Sequence, residues 1–107
     1  MPNMQRRLET ATLETLVKSR LESRGYTILK LEGKPNTYLA VKPGEAVFIR
    51  CRVGSAKSVP ADLTALADRS GLKAKLVNRP RGCINIIQEV VYDPTTGSEA
   101  ASVDTIP

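Results

Sequence analysis

TYLAVKPGEAVFIRCRV, residues 37–53, divides at Pro43-Gly44 into two segments rich in strand-forming residues. A Pro-Gly pair between such segments reads as the turn of a hairpin, with Tyr38–Lys42 as one strand and Glu45–Val53 as the next. The second strand alternates strictly. Val47, Ile49, Cys51 and Val53 share one face, and Ala46, Phe48, Arg50 and Arg52 share the other. Two arginines therefore leave the same side of an otherwise apolar strand. Burying an unpaired guanidinium is costly, so these two need either a partner or a function.

The flanking sequence supplies the rest of a sheet and its cover. A polar, basic leader ends at Arg6-Arg7, and a helix follows from about Leu8 to Arg24, with Leu13, Leu16, Val17 and Leu21 as an apolar stripe at helical spacing. Gly25 suits its C-terminal cap. Tyr26–Leu31 reads as a first strand, and Gly33-Lys34-Pro35-Asn36 as the loop into the hairpin. After the hairpin, Gly54–Val59 is a polar loop carrying Lys57. Pro60 suits the first turn of a second helix, whose inward face is Leu63, Leu66 and Ala67 and which Gly71 ends. Leu72–Val77 is a fourth strand, Asn78-Arg79-Pro80-Arg81-Gly82 a turn with two arginines, and Cys83–Tyr92 a fifth strand. From Asp93 onward the chain lacks periodicity and apolar content. Residues 1–92 are thus expected to form the domain, and 93–107 a disordered acidic tail.

A chain of 107 residues suits a single domain. Its 41% hydrophobic and 25% charged content are ordinary for a soluble globular protein. With no run of eighteen apolar residues and no signal-peptide pattern, the expectation is a cytoplasmic protein with no membrane association. The net charge of +5 is unevenly placed. Residues 1–87 hold all 16 Lys and Arg against 7 acids, a balance of +9, whereas 88–107 hold only Glu89, Asp93, Glu99 and Asp104, a balance of −4. A basic body points to a polyanionic partner for which the acidic tail would compete; the bland alternative is a merely soluble, lysine-rich surface. Histidine is absent, which excludes His-based triads and the common zinc sites, and no cofactor is expected. Cys51 reads as a buried free thiol; a disulfide to Cys83 is geometrically conceivable but uncommon inside cells.

The expected order, αβββαββ, gives a single α/β domain: a mixed sheet with a helix on each face. In this arrangement Glu14-Thr-Leu-Val with Leu21 and Gly25-Tyr26, Tyr38-Leu-Ala-Val-Lys-Pro-Gly-Glu, Phe48-Ile-Arg-Cys-Arg-Val-Gly54, Asp62-Leu63 with Gly71, and Arg79-Pro80-Arg81-Gly82 resemble the archaeal Holliday junction resolvases of the PD-(D/E)xK nuclease superfamily. The resemblance spans about residues 8–92 and implies a restriction-endonuclease-like core and a homodimer. It also implies a divalent metal held by a helix glutamate, a second-strand aspartate and a third-strand acid, with a lysine two residues later. Glu14 matches the helix position. The others fall on Thr37, Arg50 and Arg52, so the chain reads as a catalytically degenerate member.

Hard cations need oxygen ligands, and Arg50 would set a positive charge where the metal belongs, a repulsion of several kcal/mol at intermediate dielectric. Arg52 stays protonated and cannot act as a base. No metal or catalytic residue is therefore expected. Arg50 is then placed to pair with Glu14 across the former site; alternatively Glu14 is an exposed acid paired with Lys18 at i,i+4. An active nuclease built on Glu32 or Glu45 is disfavoured, because neither lies on the required strand face.

Two function classes stay open. The first is a DNA-binding pseudo-nuclease whose basic face comprises Arg6, Arg7, Lys34, Arg50, Arg52, Lys57, Arg79 and Arg81. With only Tyr26, Tyr38, Phe48 and Tyr92 aromatic, base stacking would be sparse, so duplex or branched DNA gripped through its backbone fits better than single strands. The second is a regulatory or interaction subunit that pairs with an active resolvase or with another DNA-processing or transcription protein.

Overall fold

A computed structural model describes residues 2–54, 58–80 and 86–105, and side chains within 12–54, 58–80 and 86–103. Helix α1 spans Pro2–Ser23, and strands β1 (Thr27–Lys30), β2 (Thr37–Lys42) and β3 (Glu45–Val53) follow. Helix α2 (Ala61–Ser70) then leads to β4 (Lys73–Arg79), β5 (Ile86–Asp93) and β6 (Ser98–Thr105). The six strands form one sheet in chain order, antiparallel at every junction except β3–β4, which is parallel and bridged by α2. The α/β class and the mixed sheet agree with the sequence; the order is αβββαβββ, one strand longer than expected.

The hairpin forms as its sequence dictates. Lys42 faces Glu45, and Gly44 behind Pro43 takes φ 80°, the left-handed conformation that a type II turn asks of its third residue. At the end of α1, Gly25 (φ 91°) donates to the Glu22 carbonyl and Tyr26 to that of Leu21, both at 3.0 Å, the paired bonds of a Schellman cap. Gly71 (φ 74°) closes α2 through a 2.8 Å bond to Ala67.

Each sheet face carries its own core. Leu13, Val17 and Leu21 of α1 pack on Val47, Ile49 and Cys51 of β3 and on Val77 and Ile87. Leu63 and Ala67 of α2 pack with Phe48, Ala74, Leu76 and Val90 on the opposite face. Leu13 and Leu63 are fully buried, and truncating either to Ala would cost about 2–5 kcal/mol.

Three boundaries differ from expectation. The leader is not separate: α1 starts at Pro2, a residue suited to a first helical turn, and the polar residues after it need no apolar stripe to continue a helix. Strand β4 runs through Asn78 and Arg79, so the expected arginine turn begins later. The expected disordered tail instead carries β6, paired to β5 from Ile86↔Thr105 to Asp93↔Ser98. Its apolar content is low, but the ladder satisfies its backbone, and Asp93 nucleates the turn through Thr95 N–H (3.0 Å) and Gly97 N–H (2.8 Å to the Asp93 carbonyl).

Candidate functional site

Thr37 and Arg50 stand opposite each other across the β2–β3 ladder, on the α2 face of the sheet. Thr37 is fully buried; its hydroxyl donates to the Pro35 carbonyl at 3.0 Å and accepts from Arg50 Nε at 2.8 Å. The rest of the Arg50 guanidinium points at α2. Nη1 and Nη2 donate to Asp62 Oδ1 and Oδ2 at 2.9 and 2.7 Å, a two-pronged charge-assisted pair. Lys34 Nζ reaches the same carboxylate at 3.2 Å. The Arg50 hydrogen bonds, and then Lys34, hold the Asp62 carboxyl well below the usual carboxylate range. Its place in the first turn of α2 adds a favourable interaction with the helix dipole. One carboxylate thus serves two cations, leaving the cluster positive.

Glu14 takes no part in that cluster. It lies on the α1 face, where Oε2 accepts the Tyr38 hydroxyl at 2.7 Å and Oε1 is buried without a hydrogen-bond partner among the described residues. Strand alternation explains the separation: Tyr38 opposes Ile49, one residue and one sheet face away from the Thr37–Arg50 pair. The expected Glu14–Arg50 pair is therefore corrected to Asp62–Arg50. The alternative partner Lys18 places its ammonium over the Tyr38 ring, 4.6 Å from the centroid. Burial, reinforced by the hydrogen bond to Glu14 and then by its charge, raises the Tyr38 phenol above its ordinary range.

The other expected binding residues divide. Arg52 shares the Arg50 face, opposite Asn78, is exposed, and forms no ion pair with a described residue. Lys34 is engaged by Asp62. Arg79 is 9% exposed at the end of β4, a strand paired on both sides, so the expected turn with two arginines is corrected at Arg79, which belongs to the strand and is buried. Arg81 and Lys57 lie outside the described residues, as do the side chains of Arg6 and Arg7. Cys51 is a buried free thiol, pushed up to about 12 by burial and then by Glu14, while Cys83 lies outside the described residues.

Among the described residues no group of three or more His, Cys, Asp and Glu is placed to hold a metal ion. No helix of the described residues is long and apolar enough to cross a membrane. Asp62 is the site residue whose role the sequence concealed. An acid in the first turn of a helix covering the Arg50 face was its signal, but the faces covered by the two helices had first to be known. No protein-family model matches the chain, and no curated protein matches it in sequence.

Proposed function

We propose that this chain is a nucleic-acid-binding module without nuclease chemistry, a resolvase-like protein that holds duplex or branched DNA through its phosphate backbone and works as a homodimer. The reading rests on the Arg50 guanidinium, fixed by Thr37 and Asp62 at the position where the resemblance would require a metal-binding acid. A divalent ion there would be repelled, whereas a phosphate would be attracted, and phosphate contacts need little beyond well-placed cations. Arg52 adds an exposed cation on the same face, and the +9 balance of residues 1–87 gives the long-range attraction. A second reading, an interaction subunit, is favoured by one observation: β6 is an edge strand whose residues 98–103 are all exposed.

Gel shifts of four-way junction, duplex and single-stranded DNA at two salt concentrations, with Mg²⁺ present, test both readings. Salt-sensitive retention of duplex and junction without cleavage is expected. Mg²⁺-dependent cleavage abolished by Glu14→Ala would overturn the loss of catalysis, and no retention at low salt would leave the interaction subunit.

A further inference from the structure

The cation-rich hollow of the described surface lies at the other end of β3 from Arg52, on the α1 side. A groove of about 630 Å³ opens there beyond the C-terminal end of α1, between the hairpin tip and the start of β4. Its four cations come from three elements brought together only by the fold: Arg24 after α1, Lys42 at the end of β2, and Lys73 and Lys75 on β4. Tyr26 forms part of the wall, and Glu45 is the single acid among the described residues that line it. A second hollow of about 510 Å³ that shares Tyr26 adds Lys18 and Lys30 against one acid, Glu22, so the net positive surface continues past the groove.

The arrangement is held in place. Lys42 Nζ sits 4.5 Å from the Tyr26 ring centroid and 3.5 Å from Glu45 Oε2. Lys75 is drawn toward Glu89 at 3.4 Å. Arg24 and Lys73 are exposed and form no ion pair with a described residue; Lys73 lies within electrostatic reach of Glu45 and Asp93 without closing a pair to either, so both cations can turn to a ligand. The C-terminal end of α1 opposes an anion by about half a charge, but the Leu21 and Glu22 carbonyls are already taken by the Schellman bonds, and with Lys75 set against Glu89 the three cations Arg24, Lys42 and Lys73 still outweigh that half-charge and Glu45 together.

We propose that this groove is a phosphate-binding site, in which Arg24, Lys42 and Lys73 contact the backbone of the nucleic acid and Glu45 is the counter-ion that phosphate displaces. The proposal rests on the nucleic-acid reading for its ligand but not for its location. Glu45 behaves as such a counter-ion: the Tyr26 hydroxyl, then Lys42 and Lys73, hold its carboxyl ionised below the ordinary range. No sign of the site is legible in the sequence, because its cations are dispersed from position 24 to 75 in three separate elements.

The test uses the full chain and two probes, inorganic tripolyphosphate and a labelled DNA duplex. In amide NMR spectra, tripolyphosphate is expected to shift Tyr26, Gly44 and Leu72 saturably, and Glu45→Gln to tighten that binding several-fold. Arg24→Ala with Lys73→Ala is expected to weaken duplex binding about tenfold at low salt and to lower the slope of log K against log salt by about two units. Both positions are exposed, and a thermal melt verifies that the variant is folded. Absence of shifts around Tyr26, or shifts confined to the Arg52 end, would overturn the site. Duplex binding that survives the double change but is lost in Arg52→Ala would also overturn it, leaving the nucleic-acid reading intact. Groove shifts with tripolyphosphate in a protein that ignores duplex would sustain the site and defeat that reading.

Discussion

Arg50 shows how far a single residue can be read from a strand pattern. Alternation placed it on the face of Phe48 and Arg52, and there it lies. Its partner was not legible, because an apolar stripe on a helix does not say which side of a sheet it will cover. Once α1 takes the Val47, Ile49 and Cys51 face, Glu14 is carried to the opposite side from Arg50, and Asp62 of α2 is the acid within reach. A mutant cycle follows from this geometry. Glu14→Ala and Arg50→Ala should destabilise additively, whereas Arg50→Ala and Asp62→Ala should couple. Asp62 is 45% exposed in its side chain, so solvent screening limits that coupling to about 1 kcal/mol. The pair also has a pH signature. The folded Asp62 carboxyl titrates below its unfolded value of about 3.9, so its contribution is complete above that pH and drains away as acid carries the solution below it. Melts of Asp62→Asn should then lose this part of the acid limb; an unchanged acid limb, or coupling found between Glu14 and Arg50, would refute the assignment.

At the scale of elements, the sequence was most informative where local chemistry and tertiary packing agree. The Pro43-Gly44 turn, the Gly25 and Gly71 helix ends and the full extent of β3 were all legible. It was least informative for β6, whose residues are too polar and too small to announce a strand. Such a segment is ordered by what it pairs with: β5 offers an edge, Asp93 ties the turn, and Glu99 Oε1 accepts the Val59 N–H at 3.1 Å across to the loop before α2. Ending the chain after Asp93 should therefore remove structure rather than a mobile tail. It strips the ladder from β5 and frees the Val59 amide, and a loss of about 1 kcal/mol would lower Tm by roughly 4–8 °C. Thermal melts of the truncated and full chains measure this directly. Equal midpoints would mean that β6 contributes nothing and that the sequence-based expectation of a disordered tail was right.

The whole molecule is one sheet clamped between two helices, and Cys51 lies near the centre of that assembly, 1% exposed on the central strand β3 with Leu13, Ile49 and Val77 in the same core. Its burial was legible from the company it keeps on β3; that its thiol also feels the charge of Glu14 was not, because the position of α1 decides it. Alkylation requires both access and a thiolate, and the native fold withholds both: the side chain is enclosed, and burial then Glu14 push the thiol up to about 12. A raised thiol stabilises the fold fully below its unfolded value of about 8.5, and that contribution is lost as the pH climbs from there toward about 12. Cys51 can therefore react only when the two-layered core opens as a unit. In a Cys83→Ser background, iodoacetamide at pH 8 should label Cys51 at the rate of global opening, rising in parallel with the unfolded fraction as denaturant is added. Partial opening of either helix layer would instead give labelling that is insensitive to low denaturant. Rapid stoichiometric labelling of the native protein would show that α1 does not seal the β3 face, and the core described here would be wrong at its centre.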